Sequence, residues 1–369
     1  MANPDILTIL EQRLGRRHAR DRLRIEKEHE SQVFGQGINF FHFENLPLSH
    51  VLICAVLMAT GLYQRGLTNA AKVGMRHNRI ESPLLPKAFD GFTLLQLSDL
   101  HVEMSETAMG RVIDLLEEAR YDACVLTGDY RGETCGPYDT TIVGMARVRV
   151  ALKRPIYGVL GNHDTICMVP GLEAMGIRML LNESEVIERG GQHLYLAGID
   201  DAHFYRMDNI EKAAFAIPDD EFSILISHTP EVYRQAADAK FNLLLSGHTH
   251  GGQICLPGGF PITLDSVLPR SMGSGAWTYR DMIGYTSVGA GSSVVLCAST
   301  ALQKSPCITS TGRPDGRRQW GSSRRFSLKR RGDRIRAPTT KTVTPTTISR
   351  VLSGSSNRLA RRGKSDSGM

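Results

Sequence analysis

Five short apolar runs in this 369-residue chain each end on an Asp, His or Asn flanked by glycine or another small or polar residue. No other feature constrains the fold as much. The first run is Leu94-Leu95-Gln96-Leu97-Ser98-Asp99-Leu100-His101. The second ends in Thr127-Gly128-Asp129-Tyr130, and the third in Leu160-Gly161-Asn162-His163-Asp164. Ser227-His228-Thr229 closes the fourth, and Ser246-Gly247-His248-Thr249-His250-Gly251-Gly252-Gln253 closes the fifth. Runs of this length read as buried strands. Residues two apart in an extended chain lie on one side, so Asp99 and His101 are presented together. A carboxylate beside an imidazole suits a divalent transition metal. Taken singly, each motif is equally a turn with local side-chain hydrogen bonds or a satisfied polar residue. Five of them at equivalent strand ends are not explained that way.

The runs at 92–97, 123–127, 156–160, 194–199, 224–227 and 243–246 alternate with helical segments at 106–120, 141–152 and 230–239. That alternation predicts an α/β domain of layered sheets and helices with its site at the strand ends. Hydrophobic content of 41% and charged content of 22% are those of an ordinary globular enzyme. The net charge of +6 is unevenly spread. Residues 296–369 hold 17 Lys/Arg against 3 Asp/Glu, a balance of +14, which leaves about −8 on residues 1–295. The basic character belongs to the tail, so the total does not argue for nucleic-acid binding. Seven cysteines form no CxxC pair, and their irregular spacing does not support a disulfide framework.

Residues 5–32 read as an amphipathic helix, with Ile6, Leu7, Leu10 and Leu14 on one face and arginines interleaved with acids further on. It is either a solvated helix or one lying on a membrane surface. Residues 46–63 then run mostly apolar without a formal charge, close to the ~17–25 residues that span a bilayer. A membrane helix is the leading reading and a buried or interfacial helix its rival. Arg65, Lys72, Arg76 and Arg79 favour a cytoplasmic body, while the distant N-terminal arginines favour the reverse.

The ordered set Asp99/His101, Gly128/Asp129, Gly161-Asn162-His163-Asp164, His228 and Gly247-His248-Thr249-His250 resembles the pattern of the calcineurin-like metallophosphoesterase superfamily. The similarity runs over about 79–294 and points to a membrane-associated bacterial phosphodiesterase-like branch, which includes relatives acting on UDP-2,3-diacylglucosamine. It implies an α/β fold, a four-layer α/β/β/α sandwich, here preceded by an N-terminal apolar helix. It also implies two divalent metal ions, of Mn, Fe, Zn or Co type. By position, Asp99, His101 and His250 would bind the first and Asn162, His228 and His248 the second, with Asp129 bridging both. A carboxylate is the natural bridge between cations ~3.5–4 Å apart, and such a pair generates a hydroxide for attack on phosphorus. His163 would stabilise the phosphoryl oxygens or protonate the leaving oxygen. Many relatives carry a second Asp three residues after the bridging one, where it orients this histidine. Here that position is Gly132. Asp164 is then either the orienting group or a cap for the following turn.

The expected activity is metal-dependent phosphoric ester hydrolysis, of a phosphodiester or phosphomonoester. The alternatives are a UDP-2,3-diacylglucosamine pyrophosphohydrolase-like enzyme of lipid A precursors, or a metal-binding protein inactive through loss of its C-terminal strand. A phosphate ester is the expected partner, including a membrane lipid or nucleotide-sugar lipid, with the protein held at the bacterial inner membrane.

That last alternative arises because the resemblance stops after Val294. Related chains continue with a strand like P-V-R-F-N-x-P-P-E-I-T-L, whereas here Leu296-Cys297-Ala298-Ser299-Thr300 follows. Synonymous codons for 296–309, read from one base earlier after a GTC codon at Val295, spell P-V-R-F-N-S-P-A-E-I-T-L-H-H. A frameshift near Val295 would account for the break, with a genuine basic tail for phosphate or nucleic-acid contact as its rival, and sequencing the gene there tests it. The expected organisation is an amphipathic segment at 1–45, a membrane helix at 46–64 and a linker at 65–90. The catalytic domain occupies 91–295, and a disordered basic tail 296–369.

Overall fold

The computed structural model describes residues 4–34, 58–59, 73–153, 155–252, 255–256, 260–261, 266–291 and 304–312. Two six-stranded sheets form its body, and β10 (Cys255–Leu256) and β11 (Phe260–Pro261) make a separate antiparallel pair. The first takes the order β1 (Gly74–Ser82), β14 (Lys304–Gly312), β2 (Thr93–Leu97), β3 (Ala123–Leu126), β4 (Ile156–Gly158), β5 (Arg178–Met179). Its strands β2 to β5 are parallel. The second takes the order β12 (Gly275–Tyr279), β13 (Met282–Thr286), β9 (Leu243–Ser246), β8 (Ser223–Ile226), β7 (Gln192–Gly198), β6 (Glu183–Arg189). Its four central strands are parallel and its two edges antiparallel.

The period of two along each strand sorts the core into three layers of side chains. Leu94, Ala123 and Val125 of the first sheet meet Leu196, Ile224, Ile226, Leu243 and Leu245 of the second, so the sheets face each other. The alternate residues Leu95, Leu97, Cys124 and Leu126 turn outward onto helices α3 (Glu106–Glu118) and α4 (Asp139–Ala151). On the far side, Leu225 and Leu244 pack under α6 (Ile210–Ala214) and α7 (Tyr233–Asp238). The result is helix, sheet, sheet, helix. Helix α3 shows the local logic. Ser105 caps it by accepting from the Ala108 amide, and Ala108, Met109, Val112 and Leu116 bury one stripe.

The amphipathic reading of 5–32 becomes two helices, α1 (Pro4–Leu14) and α2 (Arg16–Phe34), separated at Gly15, whose φ of +88° an L side chain rarely adopts. They are docked rather than solvated. Leu10, Leu14 and Ala19 join the outer core of the first sheet. Arg13 reaches Glu173 (2.9 Å), in α5 (Val169–Ala174), and Glu183 (2.7 Å). Part of the expected 65–90 linker is β1. It reads as polar chain because only Ile80 and Ser82 in it are buried.

The expected apolar helix at 46–64 lies outside the described residues apart from 58–59. Among the described residues, no helix is long and apolar enough to cross a membrane. Within the expected disordered tail, β14 forms a strand parallel to β1 and antiparallel to β2. The sheet therefore has a strand between β1 and β2. Pairing to β2 begins at Cys307, the residue after Pro306, which has no N–H to donate.

Candidate metal centre

Strands β2, β3, β4, β8 and β9 end at one edge of the facing sheets, and the loops that follow them bring the polar residues together. Five of the nine non-glycine residues with left-handed backbone among those described are Asp99, His101, Asp129, His248 and His250, with φ between +40° and +69°. Such conformations persist where surrounding structure enforces them, and they cluster at functional sites. Close packing enforces them here. A Cβ on Gly161 would meet the backbone nitrogen of Asp129 at 2.6 Å, and one on Gly247 would run into Ser98 and Asp99. The glycines are needed for close approach.

The imidazoles are set by their outer nitrogens. His101 Nδ1 donates to the Arg131 carbonyl (2.7 Å) and His228 Nδ1 to the Thr127 carbonyl (2.8 Å). In each ring this turns the Nε2 lone pair inward, the usual arrangement for a ligating histidine. His101 Nε2 then faces His250 Nε2 at 3.4 Å, and His250 Nε2 lies 3.4 Å from Asp99 Oδ1. One ligand atom each from Asp99, His101, Asp129 and His250 lies within 4.8 Å of the others. Acceptor atoms converging in a buried space are satisfied by a cation, so these residues fit a divalent metal.

A second group of polar side chains also approaches Asp129. His228 Nε2 is 3.3 Å from Asp129 Oδ2 and 2.8 Å from Asn162 Oδ1. The His248 ring lies 5.0 Å from that of His228, and the His248 amide donates to Asp99 Oδ1 (3.0 Å). Burial opposes charge on His228, but Asp129 and then Asp99 outweigh it and push its pKa up to about 10. Burial likewise opposes ionisation of Asp129, yet His228 and His163 hold its carboxyl well below the usual carboxylate range. A cation bound there would take the His228 Nε2 lone pair in place of that proton.

All nine sequence-selected residues thus gather at this edge, but Asp164 does not contact the His163 ring as an orienting group. Its carboxylate accepts from the backbone amides of Asp129 (2.8 Å), Tyr130 (2.9 Å) and Gly161 (2.8 Å). It staples the two loops together. His163 Nδ1 instead faces Thr134 Oγ1 at 3.0 Å, while the His163 amide donates to Asp129 Oδ1 (3.0 Å). Thr134 had no signal in the sequence beyond lying five residues after Asp129. His203 also reaches the site. Its ring sits 4.2 Å from that of His248, and its Nδ1 is 2.8 Å from Glu231 Oε2. Trp277 and Tyr279 pack against Tyr233.

Fold and site together define a layered α/β domain with a candidate divalent-metal centre at its strand ends. The model of the calcineurin-like phosphoesterase family matches residues 92–252. The uncharacterized metallophosphoesterase YkuE of Bacillus subtilis is 33% identical over 189 residues, covering 48% of this chain and 65% of that protein. YkoQ of the same organism, also an uncharacterized metallophosphoesterase, is 30% identical over 211 residues, covering 54% and 76%. A bovine transmembrane protein with metallophosphoesterase domain is 30% identical over 238 residues, covering 58% and 52%. The chain belongs to the calcineurin-like phosphoesterase family. It spans 65% of the length of YkuE and about half of the bovine relative.

Proposed function

We propose that the protein is a dinuclear phosphoesterase whose two cations share Asp129. The observation that carries this reading is the position of the Asp129 carboxylate. It shares one cluster with Asp99, His101 and His250, and it also faces His228, whose ring touches Asn162 and stands beside that of His248. Bound cations of Mn, Fe, Zn or Co type would supply positive charge for the phosphoryl oxygens and an acidified water. The chain's own residues hold that charge in place and keep the site dry, since nearly every proposed ligand is buried. His163 is assigned to the substrate. It acts on the phosphoryl oxygens or on the leaving oxygen, from a ring whose Nε2 lies 3.9 Å from Asp129 Oδ2.

The substrate is a phosphodiester or phosphomonoester. Lipid-linked and nucleotide-sugar substrates follow if the 46–64 segment holds the domain at a membrane, a reading supported by the apolar run and by similarity to the bovine relative. A hydrolysis panel of generic diesters, monoesters, nucleotide sugars and phospholipids, run with detergent-solubilised full-length protein, tests the reading. Turnover of at least one class with bound metal near two ions per chain is the expected result. One ion per chain at saturation would remove the dinuclear proposal, and no turnover of any class would remove the enzyme.

Thr134 offers a finer test. Thr134→Val is expected to lower kcat about tenfold with KM little changed, and Thr134→Ser to restore it. Steady-state kinetics on one diester decide this. Wild-type kcat in the valine variant would show that the Nδ1 contact has no role.

A further inference from the structure

Helix α2 touches both loops that flank the candidate metal centre, and its contacts are buried and polar rather than merely apolar. Arg22 is fully buried. Its Nη2 donates to the Asp164 carbonyl (3.0 Å), its Nη1 to Glu26 Oε1 (2.6 Å), and its Nε approaches Asp200 Oδ1 (3.5 Å). The guanidinium carbon lies 3.3 Å from the centre of the Tyr205 ring. One turn on, Glu26 accepts from Thr165 Oγ1 (2.6 Å) and the Ile166 amide (2.8 Å). His18 Nε2 meets Asp200 Oδ2 at 2.8 Å, and the His29 ring packs on Phe204 at 4.5 Å.

We infer that α2 is a splint for the catalytic loops, with Arg22 and Glu26 as positioning residues for Asn162, His163 and His203. The first loop runs from Asn162 to Ile166, so three consecutive backbone or hydroxyl groups after His163 end on these two side chains. A buried carbonyl or amide needs a partner, and in this loop the N-terminal helix supplies it. The second loop is tied through Asp200. Next to it, Asp201 accepts from the amides of His203 (3.3 Å), Phe204 (2.7 Å) and Tyr205 (2.6 Å), which turns His203 toward His248. A fully buried guanidinium is costly without partners. This one has a carboxylate on its own helix, a carboxylate and an aromatic face in one loop and a carbonyl in the other. It therefore fixes the spacing of the two loops, which ordinary apolar docking would leave adjustable. The inference rests on the functional reading of the centre, because it says which atoms the splint positions.

The test uses the full-length, detergent-solubilised protein with Mn. In Arg22→Ala and Glu26→Ala, kcat on a generic diester is expected to fall about 10–100-fold, as outer-shell losses do, with KM within threefold. Glu26→Gln keeps an acceptor for the Ile166 amide and is expected within threefold of wild type. Arg24→Ala, on the exposed side of α2, serves as the unchanged control. Hydrogen exchange gives a readout independent of turnover. Amides at 164–166 and 203–205 are expected to exchange at least tenfold faster in both alanine variants, with those of α7 unchanged. If Arg22→Ala does not fold, Glu26→Ala decides, because it leaves the guanidinium its Asp164 and Asp200 partners. Folded alanine variants with kcat within threefold of wild type and unchanged exchange at both loops would overturn the splint and leave α2 as simple packing. If wild-type protein shows no turnover, the functional reading fails, while the exchange measurement still decides the splint.

Discussion

Asp129→Asn is expected to fold normally and to lose activity by a factor on the order of 10³ or more. The substitution keeps the shape of the side chain and the acceptor for the His163 amide, which lies 3.0 Å from Oδ1. It removes the charge that faces His228 at 3.3 Å and that shares one cluster with Asp99, His101 and His250. A neutral amide oxygen is a weak ligand for one cation and a poor bridge between two. Two measurements read the loss separately. Bound metal per chain is expected to drop, and kcat at saturating Mn is expected to stay low. A variant with full activity would contradict the central position of Asp129 in the chemistry.

Chelation should abolish turnover, and resupplying a divalent transition metal should restore it together with a rise in Tm. Asp99, Asp129, His101 and His250 converge their acceptor atoms in a buried space, and without a cation the two carboxylates repel. Binding to the folded state alone stabilises by about 4 kcal/mol when free metal is 1,000 times Kd, which is several degrees in Tm for a domain of this size. Thermal melts after EDTA treatment, then with Mn, Zn, Co or Fe added, read this without any substrate. A Tm indifferent to all four would remove the cation from the site, whatever the activity measurements said.

The residues that gather at the strand ends are legible because strand ends write themselves into local sequence. Asp99, Asp129, Asn162, His228, His248 and His250 each follow an apolar run at once, so period, glycine and residue type coincide within a few positions. The pairing of Arg22 with Asp164, 142 residues away, leaves no such mark. An arginine among arginines looks like one more solvated charge. Its burial is decided by tertiary packing of α2, which local periodicity does not encode. Gly15 was visible as a residue but not as a break, since one glycine is tolerated within a helical pattern. Thr134 was missed for the opposite reason. The expected orienting group was a carboxylate, whereas a hydroxyl two residues beyond Gly132 meets the ring, from a loop without regular spacing. Strand β1 was hidden because its exposed polar residues leave no apolar run of the kind that identifies β7 or β9.

The left-handed backbone at Asp99, His101, Asp129, His248 and His250 sets performance against robustness. Each such residue costs about 1–2 kcal/mol that a glycine would not. Laboratory selection for heat tolerance alone would therefore drift toward glycine at the very positions proposed to hold the metals, and would erode the site. A stabilised version has to be selected with turnover in the screen. Its gains should come from surfaces away from this edge, such as the exposed flanks of α4 or α6, where Val143, Val150 and Phe215 face solvent.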